Sequence, residues 1–275
     1  MIRIIQLLII QVSFTISASS QEIGMQLYSV RNEIKRDLNG TLREVRSMGI
    51  KELEGGELYG MDVKSYRKML DQMGYKMISI GIDYSELDKD LTPVIEKAKV
   101  LGASYITCFW IPHQGNEFGE SNVNAAAALF NNAGKVFQEN GLQFCYHPHG
   151  YEFRPGKNGT LFDDLIAKTN PSYVNYELDV FWAKQGCDDP VALLKKYPSR
   201  FLLLHLKDRQ IGTICSNTGQ ADEESNVVLG QGDVNIKEIM QAAKKTSVKH
   251  YFIEDESSRV MKQLPLSLQY LKSLK

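Results

Sequence analysis

The feature that most narrows the fold of this chain is an alternation repeated eight times. From residue 22 onward, short β-rich runs alternate with amphipathic stretches of helical period, the signature of a parallel sheet with crossover helices. The strand-like runs cover residues 23–30, 50–58, 75–82, 105–111, 142–149, 174–181, 201–207 and 251–256. Helical patterns follow at 38–48, 65–73, 91–101, 123–140, 161–169, 191–197, 236–245 and 264–274. Gly49, Gly74, Gly102 and Gly141 each stand just past a helical run, where a left-handed residue without a Cβ closes the last turn. Eight such units in about 250 residues are what a (β/α)8 TIM barrel requires, and no Pro- or Gly-rich linker divides them. An open doubly wound sheet would usually carry a glycine-rich phosphate loop after its first strand, and Tyr28-Ser29-Val30-Arg31 is no such loop. The expectation is an α/β chain with one TIM-barrel domain over residues 22–275.

Residues 1–20 read differently. Arg3 gives a positive start, residues 4–16 are mostly apolar, and Ala18-Ser19-Ser20 are small, as in a secretory signal peptide cleaved before Gln21 or Glu22. The expected product is exported, periplasmic or secreted. Gln6 and Gln11 interrupt the apolar run, so a packed or disordered leader on a cytoplasmic protein is the alternative. Nothing after the leader approaches the ~20 consecutive apolar residues of a membrane span. With 32 basic and 33 acidic side chains and no long run of either sign, the chain has no footprint for nucleic acid or an anionic membrane. The expected partner is a small molecule, with homodimerisation left open. Cys108, Cys145, Cys187 and Cys215 show no metal-type spacing and read as free thiols, with a Cys187–Cys215 loop bridge as the alternative.

In a barrel the carboxyl ends of the strands converge on one mouth, so polar residues there are poor core filling. Strand five ends in His147-Pro148-His149, strand six carries Glu177 and Asp179, strand seven carries His205, Lys207 and Asp208, and strand eight ends in Glu254-Asp255-Glu256. Alternation puts His147 with His149, Glu177 with Asp179, and His205 with Lys207 on shared faces. Burying such a cluster is costly unless a cation compensates, and a mixed nitrogen and oxygen set suits Mn, Zn, Co or Fe better than Ca. A lone strand histidine is commonly structural, and Asp208, Asp255 and Glu256 read as solvated or helix-capping; it is the constellation that points to a metal.

Five phrases in chain order carry a family resemblance: Gly24-Met25-Gln26-Leu27-Tyr28-Ser29-Val30-Arg31, Tyr146-His147-Pro148-His149-Gly150-Tyr151-Glu152-Phe153, Glu177-Leu178-Asp179-Val180-Phe181-Trp182, His205-Leu206-Lys207-Asp208 and Gly230-Gln231-Gly232. The chain resembles the sugar phosphate isomerase/epimerase group of the xylose-isomerase-like TIM barrels. The resemblance implies one divalent ion, with Mn, Zn or Co first in line, and ligand roles for Asp179, His205 and Glu254. The fourth ligand place, a strand-five glutamate in ketose 3-epimerases, is offered here by His147, with His149 beside it, which counts against a symmetric two-glutamate mechanism. Gly-Gln-Gly replaces the commoner Gly-Glu-Gly, and Asn235 stands where an aspartate is frequent.

The chemistry implied is proton abstraction beside a carbonyl, through an enediolate, in a metal-dependent sugar isomerase or epimerase. A lyase or hydrolase acting on 3-keto-glycosides by β-elimination is the runner-up, since it asks for only one good base, and a non-catalytic carbohydrate-binding barrel comes third. His147 or His149 is the expected acid–base group, Glu177 competes for that role or for a ligand place, and Lys207 is expected to steady negative charge. Tyr28, Trp110, Glu152 and Trp182 are the expected substrate contacts.

Overall fold

Strands joined only through crossover helices pair most readily with their sequence neighbours, and here the ring is closed by pairing the first strand with the last. The computed structural model describes residues 22–274; the leader expected over residues 1–20 lies outside the described residues. The parallel barrel strands are β1 (Ile23–Gln26), β2 (Glu52–Gly55), β3 (Lys76–Gly81), β4 (Tyr105–Cys108), β5 (Gln143–Tyr146), β6 (Val174–Asp179), β7 (Phe201–Leu206) and β8 (His250–Ile253). At the seam Gly24 stands opposite Phe252, and a Cβ there would lie 2.6 Å from the Phe252 ring and 2.8 Å from the Glu52 carbonyl oxygen. The missing side chain lets Phe252 fill the interior. With Tyr105, Cys145 and Leu203 it forms a small buried cluster that plugs the barrel below the polar strand ends.

Outside the ring lie α1 (Arg31–Arg36), α2 (Leu38–Ser47), α3 (Val63–Met73), α4 (Thr92–Leu101), α5 (Glu120–Glu139), α6 (Leu161–Lys168), α7 (Val180–Gln185), α8 (Pro190–Lys196), α9 (Ile236–Ala243) and α10 (Val260–Ser273). They bury one apolar face each against the outward side of the strands; Phe130 of α5, for example, packs on Phe144 and Tyr146 at ring separations of 5.1 and 5.0 Å. The four glycines read as helix stops all have positive φ. Among the described residues no helix is long and apolar enough to cross a membrane.

Most strands stop a few residues earlier than their β-rich sequences suggest, and in two of them the cause is a side-chain cap. Gln26 accepts a hydrogen bond from the Tyr28 amide, and Leu27–Val30 turns into a 3-10 helix. Asp179 accepts from the amides of Phe181 and Trp182 at 2.7 and 3.0 Å, so Val180 and Phe181 open α7 rather than extend β6. In each case a side-chain acceptor satisfies first-turn amides, and local capping overrides β-propensity.

The reading of four free thiols is corrected. Cys187 and Cys215, 28 residues apart with Cα atoms at 5.3 Å, form a disulfide, while Cys108 and Cys145 are free and buried. The bridge ties the long loop after β7 to the end of α7, where the Ser216 amide also donates to the Gln185 carbonyl. Closing a loop of this length stabilises by about 3 to 4 kcal/mol in the chain-entropy account. A Cys187→Ser/Cys215→Ser protein is therefore expected to lose about that much in denaturant unfolding, and an unchanged midpoint would show that the bridge constrains nothing.

Candidate active site

His205, fully buried at the end of β7, is the hub of the barrel mouth. Its Nε2 lies 2.5 Å from Glu54 Oε2 and 3.2 Å from Glu177 Oε1; its Nδ1 lies 3.2 Å from Glu254 Oε2 and 3.9 Å from Asp179 Oδ2. Strand register sets this: Asp179 and Phe252 are the β6 and β8 partners of His205. His147, just past β5, places Nδ1 3.2 Å from Glu177 Oε2 and Nε2 3.8 Å from Asp179 Oδ2. Lys207 is buried beneath, donates to Glu254 at 3.3 Å and to Glu256, and lies 5.1 Å from the centre of the Phe181 ring.

Gathering Glu54, Glu177, Asp179, Glu254 and Glu256 around one lysine leaves an excess of buried negative charge, which is costly without compensation. The ionisation equilibria register the strain. Burial, then the charge of Glu54, pushes Glu177 up to about 8, and burial pushes Asp179 up to about 7. Burial pulls against the charged form of His205, but Glu177, Glu54 and Glu254 outweigh it and hold the imidazole well above its usual value. Burial likewise opposes ionisation of Glu254, which Lys207 and His205 nevertheless hold well below the carboxylate range.

The donor set fits a divalent cation. Glu54 Oε1, His147 Nε2, Glu177 Oε1 and Asp179 Oδ2 are buried and have no hydrogen-bond partner, although such atoms are normally satisfied. His147, Glu177 and His205, and likewise Asp179, His205 and Glu254, each offer three ligand atoms within 4.8 Å of one another. Imidazole mixed with carboxylate suits a transition metal or zinc. Asp179, His205 and Glu254, expected as ligands from the sequence, thus form one of these triads, and His147, with Nε2 3.8 Å from Asp179 Oδ2, belongs to the other.

Above this floor opens a cavity of about 410 Å3, lined among others by Tyr28, Phe109, His147, His149, Trp182 and Glu254. The His149 ring packs 5.1 Å from Trp182 and 5.5 Å from Trp110, and burial lowers its pKa to about 4, so it is uncharged near neutral pH. Tyr28 and Trp182 line the cavity as expected of substrate contacts. Glu152 and Trp110 do not. Glu152 is fully buried and accepts from the His149 amide and the Tyr146 hydroxyl, so it positions the backbone of His149; Trp110 stands behind that ring. Lys207 is likewise absent from the lining and spends its charge on Glu254 and Glu256.

Three acidic residues read as solvated or capping are also corrected. Asp208 is buried and accepts from the amides of Arg209, Gly230, Gly232 and Val234. The Gly230-Gln231-Gly232 phrase is therefore a turn wrapped on a carboxylate. Asp255 is buried and accepts from Ser257, and Glu256 pairs with Lys207. The residue that sequence reasoning missed is Glu54. Its one signal was a carboxylate with period-two spacing from Glu52 just before Gly55-Gly56 at a strand end.

A family model described as xylose isomerase-like TIM barrel matches residues 85–274. An inosose dehydratase of Geobacillus kaustophilus is 29% identical over 194 residues, 61% of this chain and 60% of that protein. The chain thus spans about 60% of the length of the curated relative it matches there. A solved sugar phosphate isomerase/epimerase of Parabacteroides distasonis is 27% identical, covering 94% of this chain and 96% of that one with a TM-score of 0.73. The IOLI protein, solved with a zinc atom, is 14% identical, covering 92% of this chain and 96% of that one with a TM-score of 0.68, a likeness of fold.

Proposed function

Because the chain belongs to the xylose isomerase-like TIM barrel family, and because one of the two imidazoles facing its cavity stands outside the carboxylate and histidine cluster, we propose that it is a divalent-metal-dependent lyase. It removes a proton beside the carbonyl of a cyclic keto-polyol and expels an oxygen substituent from the next carbon. The observation that carries this reading is the asymmetry of the two cavity histidines. His147 is tied to Glu177 at 3.2 Å and belongs to the ligand set, whereas His149 makes only a 3.4 Å contact from Nδ1 to the His147 carbonyl. An epimerase working through two opposed bases would need a second free group; an elimination needs one. The inosose dehydratase relatives, which by name remove water, support the same class.

Asp179, His205, Glu254 and His147 would hold a divalent cation, which when bound would supply Lewis acidity toward a substrate carbonyl. The chain's own residues do the rest. His149 accepts the proton from carbon, held in place by its Glu152-anchored backbone and by Trp110 and Trp182. The same imidazolium returns the proton to the departing oxygen, so one residue serves both halves of a syn elimination. Glu177 orients His147, and Lys207 keeps Glu254 ionised as a ligand. Among the lining residues three carboxylates, Glu57, Glu254 and Glu256, the last two also paired with the buried Lys207, outnumber the one arginine, Arg31, which is already paired with Glu223 at 2.5 Å. This charge favours a neutral substrate over a sugar phosphate. The Cys187–Cys215 bridge and the leader-like residues 1–20 together support an oxidising compartment outside the cytoplasm.

The second reading, sugar isomerisation or epimerisation, is favoured by the Parabacteroides structure and shares the first step. Proton NMR in D2O separates the two. With Mn- or Zn-loaded protein and an inosose or a 3-keto-glucoside, the lyase is expected to yield a conjugated enone with its ultraviolet band. Deuterium uptake with an epimer or isomer and no enone would transfer the assignment to the second reading.

A further inference from the structure

The cavity continues outward beyond its acidic floor. The turn after β1 and the loop after β2 bring Tyr28, Arg31, Glu57 and Tyr59 to its rim. Tyr28 is 52% exposed, and the Arg31 guanidinium lies 4.3 Å from the centre of its ring. Arg31 is itself held by Glu223 and the Glu256 carbonyl, so one face of the ring is backed while the other stays open. Tyr59 has φ of 50°, a left-handed conformation that costs a bulky L residue stability and persists where its surroundings enforce it, often at ligand sites. Its ring is braced edge-on by Tyr66 at 5.9 Å. Among the described residues neither phenol hydroxyl takes part in a hydrogen bond, and the Glu57 carboxylate, which feels the charge of Lys97 at longer range, makes no hydrogen bond or close ion pair. Two aromatic rings and an unused acceptor thus face a cavity whose volume, about 410 Å3, lies in the range of sites that enclose drug-sized ligands, roughly 300–1,000 Å3.

We propose that Tyr28, Glu57 and Tyr59 form an outer subsite for a second ring, joined to the reacting keto-ring through the oxygen that leaves, so that the substrate is a keto-glycoside. This rests on the lyase reading and names its substrate class. The apolar faces of a sugar ring stack on Tyr28 and Tyr59, and Glu57 accepts from its hydroxyls. With the carbonyl at carbon 3, His149 takes the proton from carbon 2 and the C–H electron pair forms the C1–C2 double bond. The C1–O bond breaks with its pair on the departing oxygen, which receives the proton. The products are an enone and a free alcohol, with no net redox change.

The test compares methyl and glucosyl 3-keto-glucosides, in both anomers, which differ in having a second ring, and the alanine variants control for the better leaving ability of the sugar alkoxide. Metal-loaded wild-type protein is expected to favour the glucosyl substrate by about tenfold in kcat/KM, as two aromatic contacts can supply. That ratio should fall toward one in Tyr28→Ala and Tyr59→Ala and persist in Tyr59→Phe. Calorimetric titration with the same glycosides before oxidation gives a readout independent of turnover, with the disaccharide again bound about tenfold more tightly than the methyl glucoside. Enone formation without any preference for the second ring, or a preference that both alanine variants retain, overturns the subsite and leaves the lyase. Preferential disaccharide binding lost in Tyr28→Ala, with no enone from any substrate, upholds the subsite and removes the lyase.

Discussion

Asp179→Asn is expected to abolish the stabilisation that a divalent ion confers while leaving the metal-free protein folded and no less stable. The substitution keeps Oδ1, which caps α7 through the amides of Phe181 and Trp182, and asparagine is as good a cap as aspartate. It replaces Oδ2, a buried oxygen with no hydrogen-bond partner, by an amide that carries no charge among Glu54, Glu177 and Glu254. For the wild type, an ion at a hundred times its Kd should stabilise by about 2.7 kcal/mol, read as a rise in the thermal midpoint that a chelator reverses. In the variant, affinity should drop by more than the roughly 10–100-fold that loss of an outer-shell partner costs. Elemental analysis of the protein starting at Gln21 should find near one ion per wild-type chain and none after dialysis of Asp179→Asn. An undiminished metal-induced shift in the variant would remove Asp179 from the ligand set; no shift in either protein, with Mn, Co or Zn, would make the cluster structural.

His149→Ala should lower kcat by about 10^2- to 10^4-fold, the range that a positioned acid–base group contributes, without changing metal content or the thermal midpoint. The position is suited to the experiment. The backbone amide of residue 149 stays bonded to Glu152, and the lost ring leaves a gap between Trp110 and Trp182 into which added imidazole can diffuse. Partial recovery of enone formation with imidazole would identify proton transfer as the missing step. If turnover is unaffected by the substitution, His149 is not the base, and His147 or Glu177 takes its place in the mechanism. Lowered activity accompanied by lost metal would instead show that His149 supports the ligand shell.

Much of the barrel is visible before folding because its causes are local. The eight β-rich runs, the amphipathic helices and the four left-handed glycines each follow from side chains a few residues apart. His147, Asp179, His205 and Glu254 were also legible as a cluster, since several carboxylates and imidazoles gathered at the ends of buried strands are costly without a compensating cation, although any one of them alone could be structural. Strand ends were less legible where Gln26 and Asp179 terminate β1 and β6 through side-chain hydrogen bonds that compete with the β-propensity of Val30, Val180 and Phe181.

What tertiary structure alone decided is who meets whom across the ring. Glu52-Leu53-Glu54 alternates like a strand with one solvated face, and only closure of the barrel carries Glu54 from β2 across to 2.5 Å from His205 on β7. The turn at Gly150 folds Glu152 beneath His149, turning an expected substrate contact into an anchor. Lys207 is committed to carboxylates supplied by β8 and the residues after it, and Cys187 finds Cys215 through the path of a long loop. Local periodicity determined the elements and which residue types crowd the mouth of this protein. The partnerships among them depend on distances between segments far apart in the chain, which no short-range pattern encodes.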